Sequence, residues 1–446
     1  MSTASVMWFR RDLRLHDNPA LLASCAADEV VPLFVLDPYL WDRSGEVRRA
    51  YLSASLRALD DSLGGALVVR RGDPRDVLPR VAREVSALTV HHAADYGPYG
   101  ARRDAEVTGL LLQQQVETQP LGSPYAVAPG RVKNGSGQPY QVYTAFQRAW
   151  ADHGWREPVD APTGRPWADL RSDKIPDPSP PQGTEVVAAG EKAAGRAWSR
   201  FVDHAVDDYD EGRDIPGGDG VSRMSTYLRW GEIHPRTMLA DLARRRSASA
   251  ATYRKELAWR EFYADVLWHR PESAREDYRE SFSAMTYDDP GDTFEAWSKG
   301  ETGFPIVDAG MRELRATGFM HNRVRMITAS FLVKDLHVWW RHGARHFMSW
   351  LADGDLASNQ LNWQWVAGSG TDAAPYFRVF NPTTQGKKFD PDGTYIRRWV
   401  PELADVPADQ VHEPRDVTGY PAPIVDHADE RAESLRRFER TKTHGG

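Results

Sequence analysis

The sequence predicts an α/β N-terminal domain built on a parallel sheet, followed by an all-α C-terminal domain. Short Val-rich apolar runs alternate with stretches of helical periodicity through the first 120 residues. From about residue 191 to residue 368 the periodicity is helical and strand patterns are scarce. Seven prolines in residues 151–190 mark a connector between the two patterns. The predicted divisions are an α/β domain at 1–125, a linker at 126–190 and a helical domain at 191–446.

Four N-terminal runs are typical of buried parallel strands, which are short, apolar and rich in Val. These predicted strands span residues 6–9, 30–36, 66–70 and 87–92, with helices at 19–27, 47–63 and 74–85. Ligands of such sheets bind beyond the carboxyl ends of the strands, so the loops that follow them are candidate binding loops. Neither a G-x-G-x-x-G fingerprint nor a P-loop is present, which argues against a NAD-dependent dehydrogenase or a nucleoside triphosphatase.

The C-terminal half contains seven stretches with apolar residues at helical spacing. These predicted helices span residues 196–209, 222–230, 235–246, 252–269, 305–317, 320–342 and 344–351. Three stretches would gather functional side chains on one helix face. They contain Glu256, Trp259 and Arg260; Asn322 and Met326; and Asp355, Asn359 and Trp363. A surface ion pair, a satisfied core amide or a packing indole would explain any one of them singly.

Composition excludes several classes of protein. The 446 residues are 41% hydrophobic and 27% charged, and no apolar run reaches the ~18 residues that a membrane-spanning helix needs. The N-terminus lacks the basic and apolar stretches of a signal peptide. The one cysteine, Cys25, cannot form an internal disulfide or a multi-cysteine metal site. We expect a cytoplasmic monomer with no metal and no membrane partner.

Charge and aromatic content leave nucleic acid open as a partner. The net charge of −7 argues against DNA, but an anionic ligand responds to the local field. Residues 321–346 carry five Lys or Arg against one acid, with tryptophans among them, as a phosphate-binding, base-stacking surface requires. A solvated helix face is the alternative. The 16 tryptophans fit either a large helical core or chemistry that uses indole rings.

A glycine-rich loop precedes the predicted helix at 222–230. Ser222 is a suitable N-cap, and exposed backbone N–H groups at a helix start attract anions. Simple capping needs no ligand, but Arg223 and Ser225 beside it favour a phosphate.

Several motifs resemble the cryptochrome/photolyase family. They are Trp-Phe-Arg-Arg-Asp-Leu-Arg-Leu-His-Asp-Asn at 8–18, Trp-Arg-Glu-Phe at 259–262, Gly-Phe-Met-His-Asn-Arg-Val-Arg-Met at 318–326, Asp-Gly-Asp at 353–355 and Asn-Pro at 381–382. The resemblance covers essentially the whole chain. It implies a Rossmann-like antenna domain, a long linker and an all-helical FAD domain, with DNA held by a local basic face.

The resemblance also implies which residues bind FAD. They are Tyr209, Val221, Ser222, Arg223, Met224, Ser225, Tyr253, Arg260, Asp353, Asp355 and Asn359. Ser222, Arg223 and Ser225 would meet the pyrophosphate. Val221 stands where the family usually has Thr, so one side-chain hydrogen bond is lost there. Asn359 would face flavin N5, where an amide can donate or accept.

The residues at 322 and 326 indicate which lesion is repaired. Enzymes for the (6-4) photoproduct have two histidines where this chain has Asn322 and Met326, and neither residue can donate the proton that this repair requires. The chain therefore resembles a cyclobutane pyrimidine dimer photolyase of class I type, a carbon–carbon lyase. Glu256 would hydrogen-bond the dimer, and Trp259 and Trp365 would form an apolar wedge around it. UV-damaged DNA, single- or double-stranded, would contact Arg213, Glu256, Trp259, Asn322, Arg323, Arg378 and Gln385.

Two other functions compete with repair. A blue-light-sensing cryptochrome would signal without repairing DNA; such receptors commonly carry a long C-terminal extension, which is not seen after the predicted helix near His427. A flavin-binding structural protein would need no dimer pocket. The presence of the dimer-pocket residues favours repair over both.

Two further expectations follow from the resemblance. A second, light-harvesting chromophore would bind near Asp37, Arg48 and Asp95; 8-hydroxy-5-deazaflavin is favoured over methenyltetrahydrofolate, because Tyr99-Gly100 replaces the folate-binding Asn-Glu pair. Electrons would reach the flavin through Trp363 and Trp340. Tyr287 stands where the family has the third, surface tryptophan, and Trp339 or Trp350 is the competing terminus.

Overall fold

The computed structural model describes residues 3–164, 166–372 and 377–443. Within them the chain forms two compact units. The first unit comprises the chain up to Pro180 together with Val187–Asp207 and Ser222–Pro271. The second unit comprises Pro181–Val186, Asp208–Val221 and the chain from Glu272 onward.

The first unit contains a five-stranded sheet in the order β3-β2-β1-β4-β5, in which every pair is parallel. Its strands are β1 (Ala4–Phe9), β2 (Glu29–Leu36), β3 (Val68–Arg71), β4 (Ala87–His92) and β5 (Glu117–Pro120). All six residues of the central strand β1 are buried, as its apolar sequence predicts. The parallel sheet is confirmed. The edge strand β5 is an addition, and its polar sequence, Glu-Thr-Gln-Pro, carries no strand signal.

Eleven described α-helices precede residue 271, and all but α8 belong to the first unit. They are α1 (Pro19–Ser24), α2 (Pro38–Trp41), α3 (Glu46–Ser62), α4 (Pro74–Glu84), α5 (Pro98–Leu112), α6 (Tyr143–His153), α7 (Glu191–His204), α8 (Tyr209–Gly212), α9 (Ser225–Trp230), α10 (Pro235–Ala243) and α11 (Ala248–His269). Proline suits the first helical position, where an N–H would lack an intrahelical partner, and it begins five of them.

Buried hydrogen bonds join the segment that carries α9 to the rest of the first unit. Glu232 accepts from Tyr51 at 2.7 Å, Ser55 at 2.6 Å and the Gly190 backbone at 2.6 Å. Burial raises the pKa of Glu232 to about 7. The neighbouring Gly231 has φ 68°, and an added Cβ would lie 2.0 Å from a backbone oxygen, so only glycine fits this approach. These contacts fix the segment that directly follows the end of α9.

The described part of the second unit is mainly helical, as the sequence predicts, with a long loop at residues 404–426 before its last helix. Besides α8, its helices are α12 (Asp292–Lys299), α13 (Pro305–Thr317), α14 (Asn322–Lys334), α15 (Trp340–Trp350), α16 (Leu356–Ala367), α17 (Pro382–Phe389), α18 (Thr394–Trp399) and α19 (His427–Thr443). Their core buries Trp297, Phe331, Trp340 and Tyr395 completely. Across the described residues, no helix is long and apolar enough to cross a membrane.

The prediction of one continuous helix over residues 320–342 is wrong. The structure ends α14 at Lys334 and begins α15 at Trp340. Between them His337 adopts φ 53°, a left-handed conformation that a helix cannot contain. Leu336 and Val338 are buried in the turn, so apolar spacing continues through it and hides the break from the sequence pattern.

Candidate functional site

In the first unit, the loop before α9 is shaped by its own side chains. The helix begins at Ser225, so the expectation that Ser222 is its N-cap is wrong. The Ser222 hydroxyl instead lies 2.7 Å from the Tyr253 hydroxyl and accepts from the Met224 N–H at 3.3 Å. Arg223 between them is in the left-handed region, with φ 53°. This bend turns the chain immediately before the helix start.

Four predicted site residues lie on α11: Tyr253, described above, and Glu256, Trp259 and Arg260. The Arg260 guanidinium donates to the backbone oxygens of Pro124 at 2.9 Å and Leu228 at 3.3 Å, and it stacks 4.6 Å from the Tyr125 ring centroid. Glu256 lies one turn before Arg260 and is half-buried. The structure therefore brings Glu256, Trp259 and Arg260 together on one helix, as predicted.

The Trp259 indole has one face covered by another ring. Tyr143 of α6 lies parallel to it, with centroids 3.6 Å apart and planes 6° apart. The Tyr143 hydroxyl donates to the Lys255 carbonyl, one turn earlier on α11, at 2.7 Å. Phe262 meets the same indole edge-on at 5.7 Å. These ring contacts restrain the Trp259 side chain. No sequence pattern indicates Tyr143, because it lies 116 positions from Trp259 in the chain.

In the second unit, two acidic residues precede α16. Asp353 is buried and forms an ion pair with Arg325, at 2.8 Å and 3.3 Å. Asp355 caps α16 by accepting from the Ser358 N–H at 3.1 Å. Asn359 follows one turn later and donates to the Ala344 carbonyl at 3.1 Å and to the Gln360 side chain at 2.8 Å. Both of its amide hydrogens are therefore used within the chain, which leaves its carboxamide oxygen to accept.

The predicted relay residues Trp363 and Trp340 are joined by the packing of α16 on α15. The Trp363 ring lies directly on Gly343, where an added Cβ would be 2.2 Å from Trp363 Cη2. Gly343 is three residues after Trp340 and so lies on the same helix face. Trp340 is completely buried, and its indole N–H donates to Asp277 at 2.8 Å. Asp277 was not predicted from the sequence.

Tyr287, the predicted surface member of the relay, is half-buried. Its hydroxyl oxygen is buried and has no hydrogen-bond partner among the described residues. Burial raises the pKa of this hydroxyl, and the nearby Asp277 carboxylate raises it further.

The predicted DNA contacts of the second unit are spread over four segments. Asn322 is exposed at the start of α14, with Met326 one turn on. Arg323 is ion-paired with Asp214 and stacks 4.4 Å from the Phe389 ring centroid. Gln385 lies half-buried on α17, and Trp365 donates from its indole to a backbone oxygen at 3.2 Å.

Two predicted FAD-binding residues also lie in the second unit. Tyr209 is buried, and the Arg213 guanidinium, a predicted DNA contact, stacks 5.4 Å from the Tyr209 ring centroid. Val221 is half-buried.

Arg378 has an exposed side chain, and its backbone is held by a hydrogen bond from a buried lysine. Its carbonyl accepts from the buried Lys334 amine, and the Lys334 ammonium stacks 4.4 Å from the Phe377 ring centroid. Burial lowers the pKa of Lys334 to about 7. Phe377 in turn stacks on Phe438 of α19 at 4.4 Å. Arg378 therefore extends from a well-supported segment.

The predicted antenna residues follow two strands of the sheet: Asp37 and Arg48 come after β2, and Asp95 comes after β4. Asp37 caps α2 and accepts from the Tyr99 hydroxyl, and the Tyr99 ring stacks on Tyr39 at 4.5 Å. Asp95 forms an ion pair with Arg103 at 3.3 Å. Arg48 is buried on α3 without an ion pair among the described residues, and burial lowers its pKa to about 10. An unpaired buried guanidinium is costly unless a ligand compensates it.

Comparison with known proteins assigns the family. The family model described as DNA photolyase matches residues 5–163, and the model described as the FAD binding domain of DNA photolyase matches residues 253–440. A deoxyribodipyrimidine photo-lyase of Streptomyces griseus is 41% identical, with 99% of each chain covered. The chain belongs to the DNA photolyase family.

Two solved structures of photolyases are similar along nearly the whole chain. A class III photolyase from Agrobacterium tumefaciens superposes with a TM-score of 0.94 at 37% identity, covering 99% of this chain and 98% of its own. An archaeal photolyase from Sulfolobus tokodaii, which contains two FAD molecules, gives a TM-score of 0.87 at 29% identity, covering 98% and 100%.

The side chains present fit FAD. Ser222, Arg223 and the N–H groups at the start of α9 form a donor set that suits a pyrophosphate. Asp355 and Asn359 present acceptor oxygens, which suit sugar hydroxyls and ring N–H groups.

The close contact at Gly343 yields a stability prediction. Gly343→Ala would place a methyl group 2.2 Å from Trp363 and 2.5 Å from the Leu332 side chain. Because neither bulky side chain can retreat freely, we expect a loss of about 1–3 kcal/mol in the free energy of unfolding. Thermal and urea denaturation measure it. The matched control is Gly195→Ala in α7, where an added Cβ has no neighbour within 4 Å and no loss is expected. A Gly343→Ala protein as stable as the wild type would contradict this packing.

Proposed function

We propose that the chain binds FAD and uses light to split cyclobutane pyrimidine dimers in UV-damaged DNA. The observation that carries this proposal is the full-length similarity to deoxyribodipyrimidine photo-lyases, at 38% identity for that of Escherichia coli, for example. It favours repair over blue-light signalling. When reduced and excited, the flavin supplies the electron that opens the dimer. The residues proposed to hold it are Tyr209, Val221, Ser222, Arg223, Met224, Ser225, Tyr253, Arg260, Asp353, Asp355 and Asn359.

The proposed dimer pocket needs no proton donor. Splitting a cyclobutane ring requires an electron out and back, with no net acid–base chemistry. Asn322 and Met326, one turn apart on α14, provide amide and thioether groups that do not act as acids. Glu256 is proposed to accept hydrogen bonds from the pyrimidines. Trp259 and Trp365 are proposed to exclude water and hold the flipped dimer between apolar faces.

The proposed DNA contacts are electrostatic and differ in their present partners. Arg323 is ion-paired with Asp214, so DNA phosphate would have to compete with that carboxylate. Arg378 is exposed on its supported segment and stacks 4.8 Å from the Phe380 ring centroid. Arg378 is therefore the more available cation of the two, and Arg213 and Gln385 complete the proposed set.

Flavin reduction and light harvesting are the remaining parts of the proposal. Electrons would pass from Trp340 to Trp363, with Tyr287 as the sequence-predicted terminus. A second chromophore, 8-hydroxy-5-deazaflavin, is proposed near Asp37, Arg48 and Asp95. The unpaired guanidinium of Arg48 supports an electron-rich ligand there. The archaeal photolyase with two FAD molecules makes a second flavin the alternative occupant.

Four finer assignments stay predictions. The class I type is predicted from the motifs, although one similar structure is a class III photolyase. A monomeric state, a cytoplasmic location and activity on both single- and double-stranded DNA are predicted as well.

The repair activity can be tested with a dimer-containing oligonucleotide. With chemically reduced flavin and blue or near-ultraviolet light, we expect intact thymines to be restored, measured by chromatography of the digested DNA. Glu256→Ala should weaken dimer binding by about tenfold to a hundredfold, because a hydrogen bond to a charged group is worth ~1.5–3 kcal/mol. Lys255→Ala, at the exposed neighbouring position on α11, is the control and should bind normally. Equal repair in the dark, or none with reduced flavin, would refute the function.

The roles of Arg378 and Trp259 predict different binding defects. Arg378→Ala should weaken binding to damaged and undamaged DNA alike. It should also make the slope of the logarithm of the binding constant against the logarithm of the salt concentration shallower by about one unit. Trp259→Ala should mainly remove the preference for the dimer, because its proposed partner is the lesion. Arg80→Ala, an exposed position on α4, is the charge-matched control for Arg378→Ala. Fluorescence anisotropy at several salt concentrations measures the dissociation constant of each variant for each DNA. An equal loss on both DNAs in Trp259→Ala would contradict its assignment.

A further inference from the structure

One carboxylate in the second unit accepts from two adjacent indoles. Asp277 Oδ1 accepts from Trp340 Nε1 at 2.8 Å, and Asp277 Oδ2 accepts from Trp339 Nε1 at 3.3 Å. The two rings are in edge contact, with centroids 6.1 Å apart and planes at 72°. The arrangement links a completely buried tryptophan to a half-buried one through both a ring contact and a shared charge.

The position of Asp277 is fixed by α16. The Tyr278 N–H donates to the Gln364 side-chain oxygen at 2.8 Å, and the Gln364 amide donates to the Ser273 carbonyl at 2.7 Å. Gln360, one turn earlier, donates to the Ala274 carbonyl at 2.8 Å. The same helix carries Trp363. The hydrogen bonds to Gln360 and Gln364 therefore fix the position of the Asp277 segment relative to Trp363 on α16.

Tyr287 lacks the partner that an oxidised phenol needs. Removing an electron from tyrosine makes its hydroxyl proton strongly acidic, so oxidation is easiest where a base can take that proton. The Tyr287 hydroxyl oxygen is buried and has no hydrogen-bond partner among the described residues. Trp339 has both an acceptor for its indole proton and a half-buried ring at which the positive charge can leave the core.

We propose that Trp339 is the terminal electron donor for flavin photoreduction and that Asp277 takes its indole proton. The inference rests on the proposed FAD binding, with the photoexcited flavin as the oxidant. An electron leaves the Trp339 indole and fills the vacancy on Trp340, which returns to its neutral closed-shell form. The Nε1–H proton of Trp339 moves to Asp277 Oδ2, and Trp339 is left as a neutral radical.

A neighbouring cation assists the proton step. The Arg341 guanidinium stacks 4.9 Å from the Trp339 ring centroid, where it disfavours a positive charge on that ring. It therefore opposes a lasting radical cation and favours loss of the indole proton to Asp277. The return of the electron then has to recover a proton as well, which slows recombination.

Transient absorption of the holoenzyme with oxidised flavin tests the assignment. In Trp339→Phe the oxidised site should remain on Trp340. The radical lifetime should then shorten by about tenfold or more, which corresponds to about 1.4 kcal/mol in the activation free energy of recombination. Trp350→Phe tests the other competing terminus. Trp350 is the last residue of α15, the helix that Trp339 immediately precedes; it is also half-buried and has Arg315 stacked 5.3 Å from its ring centroid. Trp350→Phe should leave the lifetime unchanged.

Two further variants separate the proton acceptor from the electron donor. Asp277→Asn keeps the size of the side chain but cannot take a proton, so the radical spectrum should change from neutral to cationic tryptophan. Tyr287→Phe should leave the spectrum and the lifetime as they are. A wild-type lifetime in Trp339→Phe, or loss of the radical in Tyr287→Phe, would overturn the proposal.

The test is independent of DNA repair. It requires only bound flavin, so a wild-type protein that forms the neutral tryptophan radical but repairs no dimer would refute the proposed function and leave this assignment standing. If the protein repairs dimers with chemically reduced flavin, but Trp339→Phe leaves the radical lifetime unchanged, this assignment alone is refuted.

Discussion

The packing of α16 on α15 at Gly343 and Ala344 is the constraint on which the chemistry of the second unit depends. Trp363 can lie on α15 only because residue 343 has no side chain. The carbonyl of Ala344 accepts from Asn359 and sets the direction of its amide. Through Gln364, α16 also holds the segment that carries Asp277. One helix contact thus positions a proposed flavin ligand, two relay indoles and the carboxylate beside them.

In the first unit, buried carboxylates position the helix that carries proposed functional residues. Glu232 and Glu261 are almost completely buried, which is tolerable only because several donors compensate each. Glu261 accepts from the Val127 N–H at 2.9 Å and the Trp150 indole at 2.6 Å, and so holds part of the chain after the sheet against α11. Since α11 carries Glu256 and Trp259, these structural hydrogen bonds determine where the proposed lesion contacts lie.

The sequence was sufficient where the signal is local. Val-rich runs predicted strands β1 to β4, because a parallel sheet buried on both faces demands short apolar segments. It failed where the determinant is distant. The break between α14 and α15 depends on the conformation of His337 in a turn whose apolar spacing mimics a helix. The stacking of Tyr143 on Trp259, and the bond from Trp339 to Asp277, join residues far apart in the chain and carry no sequence pattern.

Every proposed step depends on flavin being held by this chain's own side chains. The most direct measurement is the absorption spectrum of the purified protein, recorded before denaturation and again after it. We expect a structured flavin spectrum before denaturation and, after it, the spectrum of free FAD in stoichiometric amount, with any second chromophore released as a separate absorber. A correctly folded protein that releases no flavin, and takes up none when FAD is added, would contradict it.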